Sequence, residues 1–124
     1  MSYEIIWEPK GAIKRFFGDV TNIDLLESVE KIESDHRFDN LRYVINDFLA
    51  CTTFSFDGSV VEDISVLDNG ASVSNPDIKV AVVATAPDIV TATKQYAESP
   101  INAYETRIFS TLAESRLWLL KHCT

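Results

Sequence analysis

The stretch Lys79-Val80-Ala81-Val82-Val83-Ala84-Thr85 is apolar at every position between its first and last residues. A strand that is apolar on both faces is covered on both faces, which is typical of the interior of a parallel or mixed sheet. Ala86-Pro87-Asp88 follows at once, and proline is favoured in the first turn of a helix. The stretch therefore predicts the central strand of an α/β sheet, with a helix beginning directly after it.

The sequence before this strand predicts a hairpin, two helices and a further strand. Apolar residues follow the twofold period of strands in the first segments and recur at helical spacing in the later ones. In chain order, we expect strands at 3–8 and 12–17, a helix that begins after Asp19 or Thr21 and ends near Ser34, a strand at 41–48, a loop at 49–58 and a helix at about 59–74.

The sequence after the central strand predicts three more elements. A helix begins at Pro87, an alternating strand covers 104–109, and Ser110 caps a final helix. The order β-β-α-β-α-β-α-β-α favours a single α/β domain over 1–124. Its five-stranded sheet is mixed, being mostly parallel with an antiparallel N-terminal edge strand. Right-handed crossovers between neighbouring strands would place successive helices on the same face of the sheet.

The charge balance limits the class of partner. With 11 basic and 19 acidic residues the formal net charge is -8, which repels nucleic acid and anionic membrane surfaces. No apolar run approaches the roughly 20 residues of a membrane span, so no stable membrane insertion is expected. The two cysteines occur without a signal peptide. A reduced, cytoplasmic protein is therefore expected.

Few residues suggest chemistry. The glycines lack phosphate-binding spacing and neither histidine has a second ligand at metal spacing, so no cofactor or metal is expected. Asp47 interrupts an apolar strand near its carboxyl end, where α/β sheets bind ligands, or it caps the next loop. Cys51 lies in the loop after this strand and is either a buried structural thiol or a nucleophile. Phe54 and Phe56 either fill the core or mark an interface.

Several segments resemble the SpoIIAA-like (STAS-like) family of small bacterial proteins. They are 75–85, 104–114, Trp118-Leu119 and the early Asp35-His36-Arg37-Phe38, which runs into a strand. The resemblance covers most of the chain and consists of core and turn residues. It implies a SpoIIAA-type α/β fold, in agreement with the element order above.

The resemblance also implies a place for a regulatory switch. The better-known STAS relatives are anti-sigma factor antagonists, which are switched by phosphorylation of a serine at the start of the helix after a central strand. In the matching stretch Asp57 corresponds to the acidic residue before the acceptor, and the acceptor falls on Gly58 or, with a one-residue shift, on Ser59. Ser59 is suited to carry phosphate at a helix N-terminus or to serve as a plain N-cap.

The resemblance and the absence of a catalytic constellation favour a non-enzymatic regulatory or protein-interaction domain. Its interaction surface would be 49–59 and the following helix. The alternative is a carrier of a small apolar, lipid-like ligand, or an enzyme that uses the strand-end loops. In that case Asp47, Cys51 and Arg107 would line an apolar pocket. Unpaired edge strands and an incompletely covered sheet face also favour a homodimer.

Overall fold

The five strands of the described chain form one sheet in the order in which they occur in the sequence. The computed structural model describes residues 2–55 and 58–122. The elements are β1 (Tyr3–Glu8), β2 (Gly11–Thr21), α1 (Asn22–Glu33), a 3-10 turn (Phe38–Asn40), β3 (Tyr43–Ser55), α2 (Gly58–Ala71), β4 (Lys79–Val83), α3 (Pro87–Glu98), β5 (Glu105–Phe109) and α4 (Leu112–His122).

The strand directions confirm the predicted fold class. β1 pairs antiparallel with β2, and the pairs β2–β3, β3–β4 and β4–β5 are all parallel. The result is a mixed five-stranded sheet with an antiparallel N-terminal edge strand and four α-helices. Each parallel pair is joined by one helix, which is the connection that parallel strands require.

The helices cover the two faces of the sheet unequally. Leu25 of α1, Val60 of α2 and Ile89 of α3 belong to the larger apolar cluster on one face, whereas Trp118 and Leu119 of α4 belong to a smaller cluster on the other. The prediction that successive helices share a face is confirmed for α1 to α3 and wrong for α4. Crossover handedness acts on helices that connect parallel strands, and α4 follows the last strand.

The central position in the sheet belongs to β3, not to β4 as predicted. β4 lies between β3 and β5, next to the edge. Its apolar run has a local cause, because Val80 and Val82 pack in the cluster under α1–α3 while Ala81 and Val83 pack under α4. An apolar run identifies a strand covered on both faces, and any interior strand can meet that condition.

Residues 49–55 form the second half of β3, and the prediction of a loop at 49–58 is wrong for them. β2 is also longer than predicted and continues to Thr21, so that Phe17 to Thr21 pair with Ala50 to Ser55. The threonines and aromatic residue of this segment favour strands. Two register shifts interrupt the pairing, and beside the second Gly18 has a φ of 67°, a conformation that suits glycine.

The helix ends differ from the predicted ones by a few residues. Thr21 is the N-cap of α1 and forms a capping box with Asp24. α2 ends at Ala71, before the predicted end at residue 74. At α4 the cap is Thr111 rather than Ser110, because the backbone N–H of Glu114 donates to Thr111 Oγ1 over 3.2 Å. The core is unaffected by these shifts.

A salt bridge joins α4 to β1 at one end of the sheet. Arg116 donates from Nη1 to Glu8 Oε1 and from Nη2 to Glu8 Oε2, both over 2.7 Å. The Tyr43 hydroxyl donates to the same carboxylate. The paired guanidinium lowers the pKa of Glu8, as bidentate charge-assisted bonds do. This contact links residues 108 positions apart in sequence.

Gly11→Ala is expected to destabilise the fold, because a Cβ on Gly11 would lie 2.1 Å from Cε2 of Tyr43. The Tyr43 ring cannot move aside without losing its hydrogen bond to Glu8. We expect the free energy of unfolding to fall by about 1–3 kcal/mol, measured by urea denaturation.

Gly70→Ala is the matched control for this substitution. Gly70 lies inside α2 with no atom within 4 Å of the added Cβ. Removing a helical glycine there is expected to raise stability by about 0.5–1 kcal/mol. A Gly11→Ala protein as stable as the Gly70→Ala protein would contradict the packing of Tyr43 over β2.

Candidate functional site

A cavity of about 130 Å³ lies between the sheet and helices α1, α2 and α3. Cavities of about 150 Å³ with apolar walls bind molecules the size of benzene. Most of the wall is aliphatic or aromatic and is contributed by all three helices and by β3 and β4. Representative wall residues are Val29, Phe48, Val61, Val82 and Ile89.

Lys14 is the buried cation of this cavity. It lies on β2 between Ala12 and Phe16, which both pack in the cluster under α1–α3. The residue is 7% exposed, and its Nζ donates to Ser28 Oγ over 3.3 Å. Ser28 in turn donates to the Leu25 carbonyl over 2.7 Å. An ammonium group has three donors, so this one hydroxyl does not exhaust them.

Burial changes the acidity of Lys14. Desolvation lowers the pKa of its ammonium to about 8, while the charges of Asp68 and Glu33 oppose the shift from a longer range. A buried lysine is ordinarily paired directly with a carboxylate. Lys14 therefore has a substantial neutral fraction at mildly alkaline pH.

Acidic and phenolic groups form another polar part of the cavity wall, which also includes Asn46 of β3 and Thr93 of α3. Asp68 of α2 is 9% exposed and accepts hydrogen bonds from the Tyr96 hydroxyl of α3 and from Glu33, the last residue of α1. Burial and the bond to Asp68 raise the pKa of Glu33 to about 9. Burial likewise raises the pKa of Tyr96 above its ordinary value. At neutral pH Glu33 is therefore a carboxylic acid.

Tyr104 also contributes to the cavity wall, just before β5. Its hydroxyl donates to the Asn75 carbonyl over 3.0 Å. Asn75 is itself fixed, because its Nδ2 donates to the carbonyls of Phe38 and Leu41, both over 2.8 Å. Burial raises the pKa of Tyr104. This wall is therefore held in place by hydrogen bonds between the segments that lead into β3, β4 and β5.

Phe54 lines the cavity, whereas Cys51 does not. The Phe54 ring packs edge-on against Phe48, with centroids 5.6 Å apart, and is part of the cavity wall. Cys51 is half-buried, and its thiol donates to the Thr53 carbonyl over 3.1 Å. Burial, followed by the charge of Asp19, raises the pKa of Cys51. The thiol is therefore not set up as a nucleophile.

Asp47, Arg107 and Ser59 lie away from the cavity. Asp47 Oδ1 accepts from the Leu49 N–H over 3.0 Å, and its strand position matches Ile45, on the face that α4 covers. The Arg107 guanidinium lies over the Trp118 ring, 5.5 Å from its centroid. The cavity under α1–α3 is therefore not the pocket expected between Asp47, Cys51 and Arg107.

The predicted phosphorylation segment is only partly described. α2 begins at Gly58, so Ser59 is the second residue of the helix rather than its N-cap, and its side chain is exposed. Phe56 and Asp57 lie outside the described residues. Phosphorylation of Ser59 stays a prediction.

The residues at the polar end of the cavity were not identified from the sequence. A signal for two of them exists in hindsight. Lys14 has the same strand phase as Ala12 and Phe16, and Asp68 has the same helix phase as Val61. A charged residue within an apolar phase is the pattern that indicates a buried polar group.

The described residues contain neither a metal-binding cluster nor a membrane-spanning helix. No group of three or more His, Cys, Asp or Glu side chains in 2–55 and 58–122 is arranged to hold a metal ion. No helix in the same residues is both long and apolar enough to cross a membrane.

Comparison with known proteins identifies the fold. No family model and no curated protein sequence matches the chain. The anti-sigma factor antagonist SpoIIAA in its unphosphorylated form matches with a TM-score of 0.63 at 9% identity, over 96% of this chain and 97% of that chain. A SpoIIAA-like protein of the DUF3478 family from Shewanella loihica PV-4 matches with a TM-score of 0.56 at 14% identity, over 94% and 91%. The chain has the SpoIIAA-like (STAS-like) fold.

Glu33→Gln is expected to flatten the pH dependence of stability between about pH 5 and pH 8. The native state keeps the Glu33 proton up to about pH 9, whereas the unfolded state loses it near the ordinary value of 4.5. Stability therefore falls as pH rises through this window, by at most about 1.4 kcal/mol per pH unit and by less because solvent screens a half-buried group. Lys14, whose pKa is lowered to about 8, affects stability only above this pH window. There its contribution makes stability rise with pH, which is the opposite of the effect of Glu33.

Urea denaturation at several pH values measures this effect. Glutamine retains a donor for Asp68 but has no proton to lose. The slope of the free energy of unfolding against pH should therefore decrease. Glu62→Gln, at an exposed position of α2, is the control and should keep the original slope. Equal slopes for the Glu33→Gln and original proteins would contradict a protonated Glu33.

Proposed function

We propose that this chain is a non-enzymatic binding domain that takes up a small, mostly apolar ligand between its sheet and helices α1–α3. The observation that carries the proposal is the cavity of about 130 Å³ with largely apolar walls. The space is partly open to the surface rather than sealed, and well-packed proteins leave few spaces of this size unfilled. A domain that keeps such a space gives up packing energy, and a ligand that fills the space restores it.

The polar groups of the cavity favour a ligand with one polar end. Lys14 and Asp68 are both buried and both line the space. Buried polar groups are costly unless they are hydrogen-bonded. A ligand whose polar atom meets these groups and whose remaining atoms meet the aliphatic walls fits both parts of the cavity. Ligands of this kind are small amphiphiles of about six to eight non-hydrogen atoms.

Apolar contact alone gives such a ligand only weak affinity. Burial of on the order of 250 Å² of ligand surface contributes about 6 kcal/mol. Loss of translational and rotational freedom costs at least about 4 kcal/mol. The remainder corresponds to weak binding, so a long-lived complex depends on the polar end of the cavity.

A regulatory role through protein contacts is the second candidate. It is supported by the likeness to an anti-sigma factor antagonist and by the exposed position of Ser59 in the first turn of α2. Val60, Val61 and Ile64 follow on the same helix and line the cavity. A ligand in the cavity would therefore touch the helix that carries the predicted phosphorylation site. Phe54 is less suited to a docking surface than expected, since it packs against Phe48.

Self-association also stays a proposal, and the structure suggests where it would occur. Three helices pack on one face of the sheet and only α4 packs on the other. On α4, Leu117 is 60% and Leu120 is 72% exposed. Ile6 and Phe17 are also exposed. A second copy of the chain would cover this surface, and an apolar contact between two acidic chains tightens with added salt.

Ala92→Leu is expected to abolish ligand uptake without lowering stability. Ala92 is buried on α3 and lines the cavity, so the added carbons fill the space that a ligand would occupy. Ala113→Leu, at an exposed position of α4, is the control and should bind as the original chain does. Uptake of benzyl alcohol, measured as a rise in Tm and by native mass spectrometry, distinguishes the two.

The same experiment can refute the proposal. If Ala92→Leu lowers the free energy of unfolding by more than about 1 kcal/mol, the site is already filled by protein atoms. If the original chain shows neither a thermal shift with benzyl alcohol nor a small molecule retained after purification, a ligand-binding role is contradicted.

Leu120→Asp is expected to weaken a dimer while leaving the monomer folded, because it places a charge on the exposed apolar side of α4. Val73→Asp, at a turn position that is 88% exposed, is the control. Sedimentation equilibrium at low and high salt measures both. A single 13.9 kDa species for the original chain under both conditions would exclude self-association.

A further inference from the structure

Lys14 is the one primary amine that lines the cavity in the described part of the chain. It is 7% exposed, and its Nζ donates to the Ser28 hydroxyl over 3.3 Å. Asp68 and Glu33 act on it through longer-range charge rather than by direct contact. A lysine kept for stability alone would be expected to form a close ion pair with one of these carboxyl groups. Lys14 instead has N–H donors that can bind a ligand.

The amine is set up to act as a nucleophile. Burial among apolar groups disfavours the ammonium form and lowers the pKa of Lys14 to about 8, so its neutral amine is more populated near neutral pH than that of an exposed lysine. Desolvated lysines in hydrophobic pockets are the ones that condense with carbonyl compounds. The groups that face this part of the cavity from the packed elements are Ser28 and Glu33 of α1, Asp68 of α2, Tyr96 of α3 and Tyr104 before β5.

The same cavity holds a proton donor. Glu33 keeps its proton at neutral pH, and its partner Asp68 also accepts from Tyr96. Dehydration of an amine–carbonyl adduct needs an acid to release water. The negative charge near Asp68 would in turn stabilise a positively charged iminium group on Lys14.

We infer that the cavity binds a neutral aldehyde or ketone and that Lys14 holds it as a reversible imine. This inference rests on the proposed ligand-binding function and specifies the ligand class. Lys14 Nζ attacks the carbonyl carbon and a C–N bond forms, while the oxygen receives a proton from Glu33. Nζ returns one proton to Glu33, Glu33 passes it to the hydroxyl group, and the C–O bond breaks as water leaves. The resulting iminium group then gives its remaining N–H proton to Glu33. Overall, Nζ gives up two hydrogens, the carbonyl gives up its oxygen, one water leaves, and Glu33 regains its proton.

The cavity also limits which carbonyl compounds fit. Its volume of about 130 Å³ suits small aliphatic or aromatic molecules. A keto acid would add a carboxylate to a space that already contains Asp68, and like charges at short range are unfavourable. Neutral carbonyl compounds with an apolar remainder are therefore the class that the walls and the polar end accept together.

Reductive trapping tests the inference. The full chain is incubated with benzaldehyde and sodium cyanoborohydride at about pH 7.5, and the benzylated lysine is located by peptide mass mapping. At that pH the neutral fraction of Lys14, whose pKa is lowered from 10.5 to about 8, exceeds that of an amine at the ordinary value by on the order of 10²-fold. We expect saturable labelling at Lys14 at least about tenfold above any exposed lysine, with competition by benzyl alcohol.

Two variants test whether Lys14 is the amine that is labelled. Lys14→Met removes the amine while keeping an apolar side chain, and should abolish the saturable labelling. Lys94→Met, at an exposed position of α3, should leave it unchanged. Peptide mapping of the original chain identifies the labelled lysine even if Lys14→Met does not fold.

The outcomes separate this inference from the function on which it rests. Labelling spread over exposed lysines, with no preference for Lys14, overturns the imine. If benzyl alcohol still raises Tm in that case, the ligand-binding function stands. If neither benzyl alcohol nor benzaldehyde binds, both proposals fall.

Discussion

The right-handed crossover is the constraint on which the structure depends. Three consecutive parallel connections run in the same direction across the sheet, and their common handedness puts α1, α2 and α3 side by side on one face. In this chain the three helices leave a cavity of about 130 Å³ between themselves and the sheet. The cavity lies at this junction and is lined by residues of every one of these helices. The cavity is thus a product of the chain topology rather than of a single loop.

The polar cluster gives one part of this otherwise apolar cavity charged and hydrogen-bonding groups. Lys14 enters from the sheet, and carboxyl groups enter from α1 and α2. Each group alone would be costly to bury, but a protonated Glu33 bonded to Asp68 needs only one negative charge in the interior. The burial that lowers the pKa of Lys14 also raises its fraction of neutral amine. The burial that makes the Lys14 ammonium costly therefore also makes its amine more reactive.

Sequence patterns were sufficient for the fold but not for the site. Apolar period and turn residues are local properties, and they identified β4, α3 and the element order correctly. They failed at 49–55, where pairing with an extended β2 decides the structure, and at α4, whose face no crossover rule determines. The cavity residues come from positions 14, 33, 68 and 96, which meet only after the helices have packed. Local sequence patterns do not predict that residues so far apart in sequence lie close together in space.

The sheet also divides the interior into two clusters that share no side chains. One contains the cavity, and the other joins α4 to the underside of the strands. Substitutions that have no shared partners combine additively in their effects on stability. Substitutions in the α4 cluster and substitutions in the cavity wall are therefore expected to change the free energy of unfolding independently of each other. For a small domain, this separation lets the sequence on one face of the sheet vary without requiring a matching change on the other face.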